Sequence, residues 1–134
     1  MNNHEIAGVI FLIKYKERFL LEQRDDNSDF SKWSWVFPGG KKEEGEDTLQ
    51  TVLREAEEEF GIELQPGKCK KIETVFTHLG DKLNEIWQCE ISTIKRPLVI
   101  GESAGMGWYS LEEIRTMRLG YHQTELVIPV ITNL

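Results

Sequence analysis

Cysteine is scarce in this sequence, with two residues among 134. So few cysteines exclude the disulfide framework of a small secreted domain. Cys69 and Cys89 also lack the close spacing of a zinc site. We therefore expect reduced thiols that are packed in strands of a cytoplasmic protein.

Long apolar segments and an excess of positive charge are missing as well. The longest apolar run, 6–13, is much shorter than the roughly 20 residues of a membrane-spanning helix. The first five residues lack the basic start of a secretion signal. The 16 basic residues face 23 acidic ones, a net charge of −7, which argues against nonspecific binding to nucleic acid. We expect neither a membrane nor a nucleic-acid partner.

The composition is that of one globular domain, with 40% hydrophobic and 29% charged residues. A chain of this length can bury a core of its own. Because residues 1–134 show no linker or repeat, we expect a single domain. The composition leaves the oligomeric state open, and a homodimer is one alternative. An acidic protein that acts on an anionic substrate needs a local cation.

The most informative stretch is 40–62, which combines a glycine loop, a short helix and a group of carboxylates. Asp47 is suited to cap the start of the helix, because Gln50 three residues later completes a capping box. Gly61 stands where a helix commonly ends in a left-handed residue. The sequence therefore predicts a helix over 48–60.

Three glutamates share one side of this predicted helix. At about 100° per residue, Glu55, Glu58 and Glu59 fall on one arc, whereas Glu57 points elsewhere. A run of glutamates is by itself typical of a solvated face. Like charges this close destabilise a helix by about 0.2–0.5 kcal/mol per pair, so the arc favours a counter-charge, and carboxylate oxygens suit Mg²⁺ or Mn²⁺. The neighbouring apolar stripe consists of Leu49, Val52, Leu53, Ala56 and Phe60.

The same stretch resembles the signature of the Nudix hydrolases, G-x5-E-x7-R-E-U-x-E-E-x-G-U, in which U is a bulky aliphatic residue. Ala56 departs from the pattern by its small size, although it stays apolar and on the core face. Seven identities at fixed spacing, each with a background of roughly 5–10%, coincide by chance at about one in 10⁸ positions. The matched residues are Gly40, Glu46, Arg54, Glu55, Glu58, Glu59 and Gly61.

This resemblance implies an α/β/α sandwich with a mixed central sheet, a fold of the α+β or α/β class. It implies a site for Mg²⁺ or Mn²⁺ in which one glutamate also accepts a proton from the attacking water. Arg54 is expected to orient the carboxylates, with Glu46 as its ionic partner. The implied metal ligands are Glu55, Glu58, Glu59 and the backbone carbonyl of Gly39.

A further ligand is implied in a glycine-rich segment near the C-terminus. Residues 101–108 resemble the MutT branch of the family, in which a glutamate stands six residues before a tryptophan. Glu102 and Trp108 have this spacing. An exposed loop glutamate is the alternative for Glu102, and Glu85 and Glu90 on a predicted hairpin are its rivals.

The substrate pocket is less clearly defined by the sequence. The resemblance assigns Arg24 to a phosphate contact, although a plain surface arginine fits equally well. Trp33, in a predicted loop, is the candidate for stacking on a base, whereas Trp35 and Phe37 share one face of a strand and are expected in the core. MutT-type enzymes for oxidised guanine nucleotides have Asn before Glu-Pro-Val-Ile. Here Thr124 precedes Glu-Leu-Val-Ile, which argues against that preference.

The rest of the pattern predicts strands and helices without a regular repeat. Residues 96–108 are expected to be irregular. Ser110 and Glu113 form a second capping box, which predicts a helix to about Met117, and a last helix is interrupted at Pro129. Strands are predicted over 6–15, 19–24 and 35–37, with a stop at 38–40, and a hairpin over 68–79 and 85–95.

These features together predict a Mg²⁺-dependent hydrolase that cleaves a diphosphate linkage. The expected substrate is a nucleoside triphosphate, cleaved to a nucleoside monophosphate and pyrophosphate. A nucleoside diphosphate linked to a sugar is a second substrate class. A nucleotide-binding regulator without catalysis is an alternative of another kind, and the intact Glu55, Glu58 and Glu59 argue against it.

Overall fold

A computed structural model describes residues 5–24, 33–77, 79–94 and 103–132, which fold into seven strands and four α-helices. The strands are β1 (Ile6–Tyr15), β2 (Arg18–Arg24), β3 (Trp35–Val36), β4 (Gly39–Lys41), β5 (Cys69–Phe76), β6 (Leu83–Glu90) and β7 (Ser103–Ser110). The helices are α1 (Thr48–Phe60), α2 (Leu111–Ile114), α3 (Gln123–Leu126) and α4 (Ile128–Thr132), with a 3-10 turn at Pro66–Lys68.

The strands form one mixed sheet, as predicted. Its order is β3-β2-β1-β6-β5, with β4 beside β1 and β7 beside β2. Strands β1 and β6 run parallel, with Ile10 opposite Ile86, and the other pairs are antiparallel. A parallel pair needs a long connection, and α1 belongs to the chain that joins these two strands.

Both faces of the sheet are covered, which produces the predicted α/β/α sandwich. Phe11 and Leu12 are neighbours in β1 that point to opposite faces, and both are completely buried. Phe11 packs with Val52 of α1 on one face. Leu12 packs with Ile114 on the other face, where the C-terminal helices lie. Within the described ranges, no helix has the length and apolar character needed to cross a membrane.

Helix α1 has the ends that the sequence predicts. The Asp47 side chain accepts a hydrogen bond from the Gln50 backbone N–H, and the Gln50 side-chain oxygen accepts one from the Asp47 backbone N–H, which completes a capping box. Gly61 ends the helix in a left-handed conformation with φ of 65°. Val52, Ala56 and Phe60 are fully buried, while Leu49 and Leu53 are partly buried. Thr51 is also buried, outside the predicted apolar stripe.

The prediction of irregular structure over 96–108 is wrong for its last part, because 103–110 form strand β7. Antiparallel pairing with β2, for example Leu20 opposite Trp108, supplies the stabilisation that the local sequence does not show. Gly107 weakens any local strand signal, yet its missing side chain makes room for the ring of Tyr109.

Several boundaries also differ from the predictions, among them those of β6, which spans Leu83–Glu90 instead of 85–95, and the end of α2 at Ile114 instead of Met117. Gly39 and Gly40 do not simply stop a strand, because they form β4 by pairing with Ile10 and Val9 of β1. The last helix breaks at Val127 rather than at Pro129. Pro129 lies in the first turn of α4, where its missing N–H costs no helical hydrogen bond.

Candidate active site

The side chain of Glu55 packs directly on Gly40. It is 13% exposed. A β-carbon built on Gly40 would collide with the Glu55 side chain. Strand β4 thus brings a residue without a side chain under α1, and this close approach explains why the glycine position in the motif matters.

Glu59, one turn further along α1, contacts Glu55. Burial, a hydrogen bond with Glu55 and the charge of nearby Glu22 together raise the pKa of Glu59 to about 9, and the charge of Arg24 opposes this rise. The two carboxyl groups are thus neighbours in a partly buried site, where their negative charges repel each other.

Arg54 holds the motif loop against the helix. Its guanidinium donates to the Glu46 carboxylate at 2.7 and 3.1 Å and to the Lys41 backbone oxygen at 3.0 Å. It also donates to Glu55 at 2.8 Å. The hydrogen bond from Arg54 is the largest cause that lowers the pKa of Glu46 to about 2, and Glu46 in turn raises the pKa of Arg54. The predicted ion pair between Arg54 and Glu46 is present.

Glu58 lies apart from the Glu55–Glu59 contact. Its carboxylate is 61% exposed and accepts a hydrogen bond from Arg54 at 3.3 Å. Glu57 is also exposed and belongs to another side of the helix, as predicted. The structure thus brings two of the three predicted glutamates into contact and leaves Glu58 beside them, on the solvent side.

Glu22 belongs to the site although the sequence analysis did not single it out. It is 8% exposed on β2, two residues after Leu20, which packs in the core under α1. Alternation along the strand therefore places Glu22 on the face that carries the α1 carboxylates. A glutamate at a core-facing position of an apolar strand was the signal that could have revealed it, since buried acids are rare without a role.

The other predicted metal ligands have different positions. Gly39 lies in β4 next to Gly40. Glu102 lies outside the described residues. Its rival Glu85 accepts hydrogen bonds from the Thr48 hydroxyl at 2.5 Å and the Trp87 indole at 3.3 Å, so it ties β6 to the start of α1, away from Glu59. Glu90 is exposed at the end of β6.

The candidate substrate residues lie near the end of β2. The Arg24 guanidinium lies 5.5 Å from the centre of the Tyr121 ring. Trp33 is 50% exposed, and its backbone oxygen accepts a hydrogen bond from Gln23 at 3.0 Å. Trp35 and Phe37 pack in the core beside the C-terminal helices, as predicted.

The donor set fits a hard divalent cation. Among the described residues, no three His, Cys, Asp or Glu side chains are already arranged as a cage for a metal ion. The contact between Glu55 and Glu59 nevertheless concentrates carboxylate oxygens, and Mg²⁺ typically takes one or two protein carboxylates, with substrate phosphates and waters completing its shell. A cation there would offset the repulsion between the two carboxylates.

This sandwich fold and its carboxylate-bearing helix define the Nudix class of domain. Residues 2–127 match the model of the NUDIX domain family, and the chain belongs to this family. The resemblance stated from the motif is thereby confirmed.

Comparisons with individual proteins agree with this assignment. An 8-oxo-dGTP diphosphatase from Proteus vulgaris is 42% identical over 79 residues, which cover 59% of this chain and 66% of that protein. The NUDIX domain of Shewanella oneidensis NrtR, solved with ADP-ribose, has a TM-score of 0.78 at 19% identity, covering 98% of this chain and 89% of that one. A MutT described for Aliivibrio salmonicida and Vibrio cholerae has a TM-score of 0.77 at 22% identity, covering 97% and 99%. These structures confirm the predicted fold.

Proposed function

We propose that this protein hydrolyses a diphosphate linkage in a nucleoside triphosphate and releases a nucleoside monophosphate and pyrophosphate. The observation that carries the proposal is the packing of Glu55 on Gly40, with Glu59 beside Glu55 one turn further along α1 and Arg54 holding the surrounding loop. The 42% identity with an 8-oxo-dGTP diphosphatase supports a triphosphate substrate.

The helix carboxylates would hold Mg²⁺ or Mn²⁺ in this enzyme. Bound there, a divalent cation supplies charge neutralisation for the phosphates and lowers the pKa of a water. The geometry supports Glu55 and Glu59 as ligands. Glu58 lies beside them on the solvent side, where it accepts a hydrogen bond from Arg54. The Gly39 carbonyl and Glu102 remain proposed ligands on the basis of the family pattern, and one glutamate is proposed to accept the water's proton.

Arg54 has a positioning role in this proposal rather than a contact with substrate. Its bonds to Glu46 and Lys41 hold the loop, and its bond to Glu55 restrains that carboxylate from turning away. Arg24 and Trp33 are the proposed contacts for phosphate and base. The free thiols of Cys69 and Cys89 accord with a cytoplasmic location.

A second substrate class is a nucleoside diphosphate linked to a sugar. The fold neighbour from Shewanella oneidensis binds ADP-ribose, a molecule of this class. A binding protein without catalysis is a third alternative. The carboxylates of Glu55, Glu58 and Glu59 argue against it. Their like charges destabilise the helix, and nucleotide binding alone does not need all three.

The decisive experiment is hydrolysis by the purified protein with Mg²⁺ or Mn²⁺ of four substrate groups: canonical triphosphates, 8-oxo-dGTP, ADP-ribose with related sugar nucleotides, and dinucleoside polyphosphates. We expect the highest kcat/KM for a triphosphate, with pyrophosphate as product. A higher kcat/KM for ADP-ribose would move the assignment to the second class. Tight nucleotide binding without turnover of any substrate would favour the regulator.

A further inference from the structure

Arg24 is the last residue of β2 and lies at an irregularity of the sheet. The register between β2 and β7 shifts between Gln23 and Arg24. The Arg24 backbone N–H donates to the Ser34 oxygen at 2.8 Å, which fixes the main chain beside β3. A side chain that leaves the sheet at such an irregularity is directed differently from its neighbours.

The guanidinium of Arg24 contacts an aromatic ring and interacts with a charge of the candidate active site. Its Cζ atom is 5.5 Å from the centre of the Tyr121 ring, a cation–π distance. Its positive charge also opposes the rise in the pKa of Glu59. This position is suited to an anionic oxygen of a bound phosphate chain.

The backbone around Tyr121 is held in an unfavourable conformation. Tyr121 and His122 have φ of 55° and 57°, in the left-handed region that residues with a β-carbon rarely adopt. Hydrogen bonds on both sides fix this turn. The Gly120 N–H donates to the Trp35 oxygen at 3.0 Å, and the buried Gln123 side-chain oxygen accepts from the Phe37 N–H at 2.8 Å. Backbone strain that surrounding contacts maintain in this way is often found at functional sites.

We propose that Tyr121 is a positioning residue that holds the Arg24 guanidinium against its ring, ready to bind the phosphate chain of the substrate. This inference rests on the proposed function, since it assumes a phosphate chain beside Glu59. An arginine side chain has many rotamers, and ordering it on binding weakens affinity. A ring that orders Arg24 beforehand removes that loss. The effect should therefore fall on KM more than on kcat.

The first test compares Tyr121→Phe and Tyr121→Leu in steady-state hydrolysis. Phenylalanine keeps the ring, so we expect KM within about twofold of the wild type. Leucine keeps apolar bulk without a ring, so we expect KM to rise about 3- to 10-fold while kcat changes less than about twofold. Tyr15→Leu is the matched control, because Tyr15 makes a similar contact with Lys16 at 5.3 Å elsewhere. It should leave KM unchanged.

A double-mutant cycle shows whether Tyr121 acts through Arg24. In an Arg24→Ala background, Tyr121→Leu should raise KM no further, because the side chain that it orders is gone. If Tyr121→Leu raises KM equally in the wild-type and Arg24→Ala backgrounds, the proposal is overturned and Tyr121 has only a structural role. An equal rise in KM for Tyr121→Phe and Tyr121→Leu would also overturn the proposal, because it would assign the effect to the hydroxyl and not to the ring.

The same cycle, measured by calorimetric binding of inorganic pyrophosphate with Mg²⁺, separates this inference from the proposed function. Coupling between Arg24 and Tyr121 in pyrophosphate binding, with no triphosphate hydrolysis by the wild type, would overturn the proposed function alone. Triphosphate hydrolysis without coupling in either measurement would overturn this inference alone. A wild type that neither hydrolyses triphosphates nor binds pyrophosphate would overturn both.

Discussion

The side chain of Glu55 occupies the space that a β-carbon on residue 40 would need. Gly40 and Glu55 are therefore a matched pair, formed because β4 pairs with β1 directly under α1. The pair couples the glycine turn of the motif to its first helix carboxylate.

Gly40→Ala should displace the Glu55 carboxylate and lower kcat by about tenfold to 100-fold, since misplacing a catalytic group by about 1 Å can cost that much. The melting temperature should fall as well, because overpacking costs about 1–3 kcal/mol. Gly67→Ala is the control, because a β-carbon there meets open space. Equal kinetics for the two variants would show that the Gly40–Glu55 contact has no role in activity.

Glu58→Gln should lower turnover about 100-fold or more, if the exposed Glu58 joins the metal site when substrate is bound. Glu57→Gln removes the same charge from the adjacent, exposed position and should be nearly silent. The comparison of kcat for the two variants on the best substrate is the measurement. If both retain wild-type kcat, Glu58 serves only its surface ion pair with Arg54.

Mg²⁺ or Mn²⁺ should raise the melting temperature of the wild type. A cation that binds only the folded protein stabilises it by about 2.7 kcal/mol at a hundredfold excess over its dissociation constant. The Glu55→Gln/Glu59→Gln variant should show a much smaller shift in a thermal melt with and without metal. An equal shift in both proteins would place the cation elsewhere.

Glu102→Gln should lower kcat clearly while the free protein keeps its metal affinity, as expected for a ligand that acts in the chemical step. Glu85→Gln should keep most of the activity, because the Glu85 carboxylate is engaged with Thr48 and Trp87. Kinetics and Mn²⁺ titration of both variants provide the check. Full activity in Glu102→Gln with a loss in Glu85→Gln would reverse the assignment.

The ion pair of Glu46 with Arg54 predicts how stability depends on pH in metal-free buffer. The pKa of Glu46 is about 2 in the folded protein, below its ordinary value of 4.5. The contribution of ionised Glu46 to the free energy of unfolding is therefore complete above pH 4.5. It is lost as the pH falls toward 2. Urea denaturation from pH 6 to 3 should show a shallower decline for Glu46→Gln than for the wild type. Parallel curves would refute the contribution.

Local interactions explain what the sequence could predict. The ends of α1 follow from Asp47, Gln50 and Gly61, whose contacts lie within four residues of each other or of the helix end. The same helical period separates Glu57 from the arc of the other glutamates. Such features need no knowledge of distant partners, because the helix geometry alone fixes which side chains are neighbours.

Only the tertiary structure decided which residues from other elements complete the site. Glu22 and Glu59 are close enough for their charges to interact because β2 packs in the core under α1. Tyr121 meets Arg24 because the C-terminal turn is hydrogen-bonded to Trp35 and Phe37. Strand β7 likewise exists through its pairing with β2. These contacts join segments that are far apart in the chain, and their stability comes from burial and hydrogen bonds that form only when the sheet is assembled.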